Sequence, residues 1–187
     1  MEGYLTKTYT DLLVEKESSL LWITLNRPEY SNAFSDEMIA DLACMCDIRM
    51  GCRHSRFGET FAKLALVPGD GGTFFLQRVI GYAKAMELSL TGRIITADEA
   101  LSVGLLNTIV EEDVLKSETQ KLAQSIADNS PVAVSMIKKA IRQARTAEIS
   151  AHLDLLAAYQ GITQRTQDHF EGVKALKEKR EPQFKGR

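Results

Sequence analysis

Leu66-Val67-Pro68-Gly69-Asp70-Gly71-Gly72-Thr73 sets one carboxylate inside a glycine-rich turn. The turn runs into the largely apolar segment Phe74 to Ile80, closed by Gly81. The spacing predicts a short helix beginning at Thr73, with Gly81 as its stop. A helix start presents free N–H groups and a partial positive charge, which favour the ionised form of a nearby carboxylate. Asp70 is thereby suited to act as a base or a nucleophile. Its neighbours lack bulk, so a ligand has room to come close. Capping a helix is the ordinary role of Asp at such a position, and the local pattern alone favours that role.

The elements that must position Asp70 follow an α/β pattern. Leu12-Leu13-Val14-Glu15-Lys16 and Leu20 to Leu25 read as two strands around the polar turn Glu17-Ser18-Ser19. Ser35 is a plausible cap for a helix opening at Asp36. Strand-like segments recur at Phe57-Gly58 and at Leu105 to Val110. Between them Thr96-Ala97-Asp98-Glu99 reads as a capping box opening a helix that stops at Gly104. Such alternation indicates α/β architecture. From about Asp113 the pattern is helical throughout. Ser130-Pro131 is a cap followed by proline at the first helical position. Val132, Met136, Ile137, Ala140 and Ile141 form one apolar face. Leu153, Leu156, Ala157 and Gln160 continue in a second helix, and Phe170, Val173 and Leu176 mark a third.

At 187 residues the chain suits a core of ordinary size. Its apolar fraction of 44% and charged fraction of 26% are those of a soluble globular protein. A formal net charge of -2 gives no case for nucleic acid or for an anionic membrane as a partner. No apolar stretch approaches the length of a membrane span, and Met1-Glu2-Gly3-Tyr4 has no basic region or apolar run of a secretory leader. The expected location is the cytoplasm. Cys44, Cys46 and Cys52 are too few and too crowded for a disulfide framework or a zinc site. Cys44 and Cys46 are expected to sit reduced beside a core helix.

Several motifs, taken in order, resemble the crotonase (enoyl-CoA hydratase/isomerase) superfamily. They are Leu25-Asn26-Arg27-Pro28 with Asn32-Ala33-Phe34, then Asp41 to Ile48 with its Cys46-Asp47, then Phe57-Gly58-Glu59-Thr60-Phe61. Val67-Pro68-Gly69-Asp70-Gly71-Gly72-Thr73 follows, then Ala85 to Ile94 with Glu99-Ala100 and Gly104-Leu105, and finally Lys179-Arg180 with Pro182, Phe184, Lys185 and Gly186. The resemblance implies a crotonase-like ββα superhelix core over 1–112, followed by a C-terminal helical trimerisation region over 113–187. It implies an acyl-CoA thioester as substrate, enolate chemistry, and a homotrimer or dimer of trimers. No metal or redox cofactor is implied, because coenzyme A arrives with the substrate. Asp70 matches an aspartate that serves as base or nucleophile in several branches, which raises the catalytic reading above the capping one. The resemblance further implies that Tyr30, Ser31 and Ala33 lie by the adenine-ribose end of the ligand. Phe184 and Lys185 approach the same ligand from a neighbouring subunit. Gly69 and Gly71 flank the reacting end, and Phe61, Leu66 and Phe74 wall the acyl pocket. The basic tail residues, otherwise a solvated helix face, then sit near the phosphates of coenzyme A.

The sequence also departs from that pattern. The two acid/base glutamates of a typical hydratase fall on Asp41 and Phe61 here, and Phe61 cannot move a proton. Glu59, two residues earlier, would share a strand face with Phe61. It offers a substitute carboxylate, although a solvated strand-end charge is its plainer reading. Only Ser35 to Ala40 separate Phe34 from Asp41. A crossover to a parallel strand needs about a dozen residues or more, so the βαβ unit that carries two oxyanion-binding N–H groups in the family has no room there. A genuine deletion, an alternatively spliced or engineered form, and an omitted segment all fit this junction near Ile39-Ala40-Asp41. An inactive crotonase-like protein that binds acyl-CoA or other subunits is the alternative the junction opens.

Overall fold

The computed structural model describes residues 12–17, 20–25, 46–69 and 71–187. The helix expected from Ser35 lies outside them, as do Tyr30, Ser31, Ala33, Asp41, Cys44 and Asp70. The chain divides into two compact units, with the boundary between Gln120 and Lys121.

In the first unit, β1 (Leu12–Glu17) and β2 (Leu20–Leu25) form an antiparallel pair in the register Leu12↔Leu25 to Glu17↔Leu20. Glu17 therefore closes the ladder instead of opening the turn. β3 (Met50–Cys52) comes next, followed by β4 (Arg56–Phe57) and a 3-10 turn at Thr60–Leu64. Helices α1 (Gly72–Ile80) and α2 (Tyr82–Thr91) then precede β5 (Ile95–Thr96), α3 (Ala97–Ser102) and β6 (Thr108–Val110). β3 pairs parallel with β6, and β4 pairs antiparallel with β5. The core of this unit is Leu76, Ala85, Leu88, Ile95, Ala97, Ala100, Leu105 and Leu106, drawn from α1, α2, β5, α3 and the segment after α3. Gly81 stops α1 as the spacing predicts, with φ 83°.

Four local expectations are corrected. The strand expected over Phe57 to Phe61 ends at Phe57, because its partner β5 is only two residues long. Phe61 lies in the 3-10 turn instead, with Glu59 as its N-cap. The strand expected from Leu105 starts at Thr108. Both Leu105 and Leu106 donate their N–H groups to the Ala100 carbonyl, at 2.8 and 3.0 Å, and so complete the end of α3. Cys46 to Ile48 form a bend and not the end of a helix. Arg49 explains the bend: its guanidinium bonds the carbonyls of Cys46 and Leu105, at 2.5 and 2.6 Å, and pulls the chain toward β6. Cys46 is accordingly an exposed free thiol and is not packed beside a core helix.

The expected N-cap of α3 is present, with Thr96 accepting from the Glu99 N–H at 3.3 Å. The Glu99 carboxylate is drawn instead to Arg93, which also takes Glu87 at 2.5 Å. Lys84 and Arg93 donate to Glu87, and Arg93 to Glu99, so both carboxyls lie below their usual range.

α4 (Leu115–Ala127) leads from the first unit into the second, where α5 (Pro131–Ala144), α6 (Ile149–Thr163) and α7 (Gln167–Glu178) match the three expected helices. Pro131 stands at the start of α5 as predicted, but the Ser130 hydroxyl is turned to another task. The apolar face of α5 splits: Val132, Met136 and Ala140 are at least half-buried, while Ile137 and Ile141 are exposed. Phe170 and Leu176 of α7 are exposed as well.

Candidate functional site

Two places in the structure carry the residues singled out by the sequence. The first is the glycine turn. Gly71, not Asp70, is the N-cap of α1, and its φ of 96° is one that side chains rarely adopt. The placement of Asp70 lies outside the described residues. Gly69 has open space where a side chain would begin. Leu66 and Phe74 are 58% and 53% exposed in the single chain, and Phe61 is half-buried. Phe74 meets Phe75 edge-on at 5.1 Å and carries the Arg78 guanidinium 3.5 Å above its ring.

Glu59 reaches the same helix start. Its carboxylate oxygens lie 2.8 and 3.0 Å from where a Cβ on Gly72 would stand. A carboxylate at the first turn of α1 is favoured by the helix dipole. The reading of Glu59 as a solvated strand-end charge is therefore corrected: it is half-buried and packed on Gly72. The second glycine of the Gly71-Gly72 pair is what makes room for it.

The second place is the C-terminal tail, which lies along α7. Asp168 is 2% exposed and accepts three hydrogen bonds. The Lys185 N–H donates to Oδ1 at 2.7 Å, the Gly186 N–H to Oδ2 at 2.9 Å, and the Ser130 hydroxyl to Oδ2 at 2.8 Å. Gly186 has φ 72°, which lets consecutive N–H groups converge on one carboxylate. Burial by itself pushes the Asp168 carboxyl up, but these donors outweigh it and hold the group below its usual range. One turn on, Glu171 accepts from the Arg180 guanidinium at 2.6 and 3.0 Å and from the Gln183 N–H at 2.9 Å. Between those anchors the half-buried Phe184 ring sits 3.5 Å from where a Cβ on Gly172 would stand. Lys185 is exposed.

Asp168 and Glu171 were not singled out by sequence, and Ser130 was read only as a helix cap. Asp168 has the ordinary look of an acid in the first turn of a helix capped by Thr166. Its partners stand 17, 18 and 38 residues away. Among the described residues no group of three His, Cys, Asp or Glu is arranged to hold a metal, and no helix is long and apolar enough to cross a membrane.

The Arg180 guanidinium and the Gln183 N–H hold Glu171 down at about 2. A folded-state value below the unfolded one stabilises the protein above the unfolded value of about 4.3, and that stability is lost as pH falls toward 2. The thermal midpoint of the wild type is expected to fall over that window. Glu171→Gln is expected to start lower at neutral pH and to change less on acidification. Thermal denaturation from pH 7 to pH 2 checks this, and identical slopes for the two proteins would contradict it.

Residues 40–187 match the family model described as enoyl-CoA hydratase/isomerase. The match begins where the sequence places its junction. The short-chain-enoyl-CoA hydratase of Clostridioides difficile is 41% identical over 133 residues, 71% of this chain and 86% of its own length. The 1,2-epoxyphenylacetyl-CoA isomerase of Escherichia coli K12 is 38% identical over 148 residues, but the chain spans only 56% of its length. The crystal structure of an enoyl-CoA hydratase from Bacillus anthracis superposes with a TM-score of 0.75 at 37% identity, covering 77% of this chain and 56% of that one. The glycine turn, the buried cluster from Leu76 to Leu106 and the tail-bearing helices all fall within the matched residues, so this chain belongs to the enoyl-CoA hydratase/isomerase family, with a crotonase-like fold.

Proposed function

We propose that the chain binds an acyl-CoA thioester and is built for enolate chemistry with Asp70 as the base. The observation that carries this reading is the turn at α1. Gly71 takes the N-cap, Gly69 leaves open space, and the helix start favours an ionised carboxylate. Coenzyme A enters only as part of the substrate, with no further cofactor. Tyr30, Ser31 and Ala33 are assigned to its adenine-ribose end, and Gly69, Gly71, Phe61 and Leu66 to the acyl end. Asp41, beside the junction, is the secondary candidate for proton transfer. Phe61 in place of a glutamate favours isomerisation, or another enolate reaction, over two-glutamate hydration. The short Phe34–Asp41 interval supports a second reading for the chain as it stands, in which acyl-CoA is bound without turnover.

Calorimetric titration with crotonyl-CoA, alongside hydration and isomerisation assays, tests both readings. Binding in the micromolar range is expected, and no heat of binding up to millimolar ligand would overturn the proposal.

The helical region over 113–187 is proposed to build a homotrimer or dimer of trimers. Ile137, Ile141, Leu153 and Phe170 are 59%, 65%, 56% and 65% exposed in the single chain, apolar side chains of the kind a subunit interface covers. Sedimentation equilibrium at micromolar concentration is expected to give three or six copies, and a monomer throughout would refute the assignment.

A further inference from the structure

We infer that Asp168 is a positioning residue for ligand binding: its buried carboxylate ties down the C-terminal tail and thereby sets Phe184 and Lys185 where they meet coenzyme A. The inference rests on the reading that the tail contacts the ligand, and adds the residue that holds it there.

Backbone N–H groups of the tail are taken by carboxylates of α7: Gln183 by Glu171, Lys185 and Gly186 by Asp168. The Asp168 N–H returns a bond to the Arg187 carbonyl at 3.3 Å. Asp168 thus holds three of the last three residues through their backbones, and Ser130 braces the same carboxylate from the start of α5. These bonds leave the Lys185 side chain uncommitted to the clasp and exposed, while the Phe184 ring is pressed to Gly172. A charge-assisted clasp of this kind is shorter and stronger than a neutral one, and gives a short tail a defined course. A side chain on a tail with no fixed course loses ordering entropy on each binding event, which weakens affinity.

Two variants test the assignment in the full chain. Asp168→Asn replaces one acceptor by a donor facing donors. Ser130→Ala removes one brace and leaves the carboxylate in place, so it keeps the test open if the first variant fails to fold. Dissociation constants are measured for crotonyl-CoA and for the crotonyl thioester of N-acetylcysteamine, which lacks the nucleotide. Trypsin cleavage after Arg180 and Lys185 reports the tail directly. Asp168→Asn is expected to speed tail cleavage and to weaken crotonyl-CoA binding by about tenfold or more, with the short thioester unchanged. Ser130→Ala is expected to act in the same direction, less strongly.

Equal weakening toward both thioesters would mark a merely structural role and overturn the inference. Unchanged tail cleavage would overturn it too. Lys185→Ala and Phe184→Ala separate the two levels. If they weaken crotonyl-CoA binding and Asp168→Asn does not, the positioning role fails while the ligand reading stands. If neither weakens it, the ligand reading of the tail itself fails.

Discussion

Asp70→Asn is expected to lower turnover of an acyl-CoA substrate by about 10²–10⁴-fold, the usual cost of losing a general base. The assay uses the protein with the oxyanion-forming segment of a relative inserted between Ala40 and Asp41, so that the base is the only part missing. Substrate affinity is expected to change little, because the amide keeps the volume of the carboxylate and removes only its capacity to take a proton. Thermal stability is also expected to hold, since the N-cap of α1 is Gly71 and not Asp70. The result to look for is therefore a fall in kcat with an unchanged Kd and thermal midpoint. A fall in stability with modest change in kcat would return Asp70 to a capping role. Near-wild-type turnover on several acyl-CoA substrates would remove it from the chemistry altogether, leaving Asp41 or Glu59 as the carboxylate to examine.

Glu59 gains weight as the third candidate because of a contact that periodicity alone conceals. In sequence it sits two residues from Phe61 and reads as strand, with an alternating face. In the structure the ladder stops at Phe57 and the chain turns, which brings the carboxylate onto Gly72. The strand ended early because its partner is two residues long, and a partner's length is a tertiary fact. A different cause explains the missing start of the strand at Leu105, whose N–H closes α3 instead.

Local signals read well where the stabilising partner is local. Gly81 stops α1, Thr96 caps α3 from three residues away, and Pro131 opens α5, each as spacing predicts. They fail where a distant group takes the side chain. Glu99 serves Arg93 and not the second half of its capping box, and Ser130 turns from its own helix to Asp168. The tail clasp is the extreme case. The resemblance points to Phe184 and Lys185, but the carboxylate that holds the backbone of Lys185 and Gly186 was not legible, because nothing in Thr166-Gln167-Asp168-His169 distinguishes a first-turn acid from one whose partners lie at the end of the chain. The exposed halves of the α5 and α7 faces have a similar origin: period marked them as apolar, but what covers an apolar face is not written in its period.

The 187-residue chain, with Ile39-Ala40-Asp41 contiguous, is expected to show no enoyl-CoA hydratase or isomerase turnover. Enolate chemistry places negative charge on the thioester oxygen, and in this family two backbone N–H groups meet it. Losing one such donor typically costs an enzyme about 2.7–4 kcal/mol of barrier, and both belong to a block for which residues 35–40 leave no room. A base at Asp70 does not compensate, because it removes the proton without lowering the energy of the enolate that results. Binding and turnover should therefore separate in this chain: crotonyl-CoA is bound, and neither hydration nor isomerisation follows. The check is to confirm the mass of 20.8 kDa by intact mass spectrometry, establish binding by calorimetry, and then assay both reactions. Turnover within about tenfold of an ordinary enzyme's ~10 s⁻¹ would mean that other residues form the oxyanion site. The backbone N–H groups at the start of α1 would then be the first place to look, since a helix start is a ready-made site for negative charge.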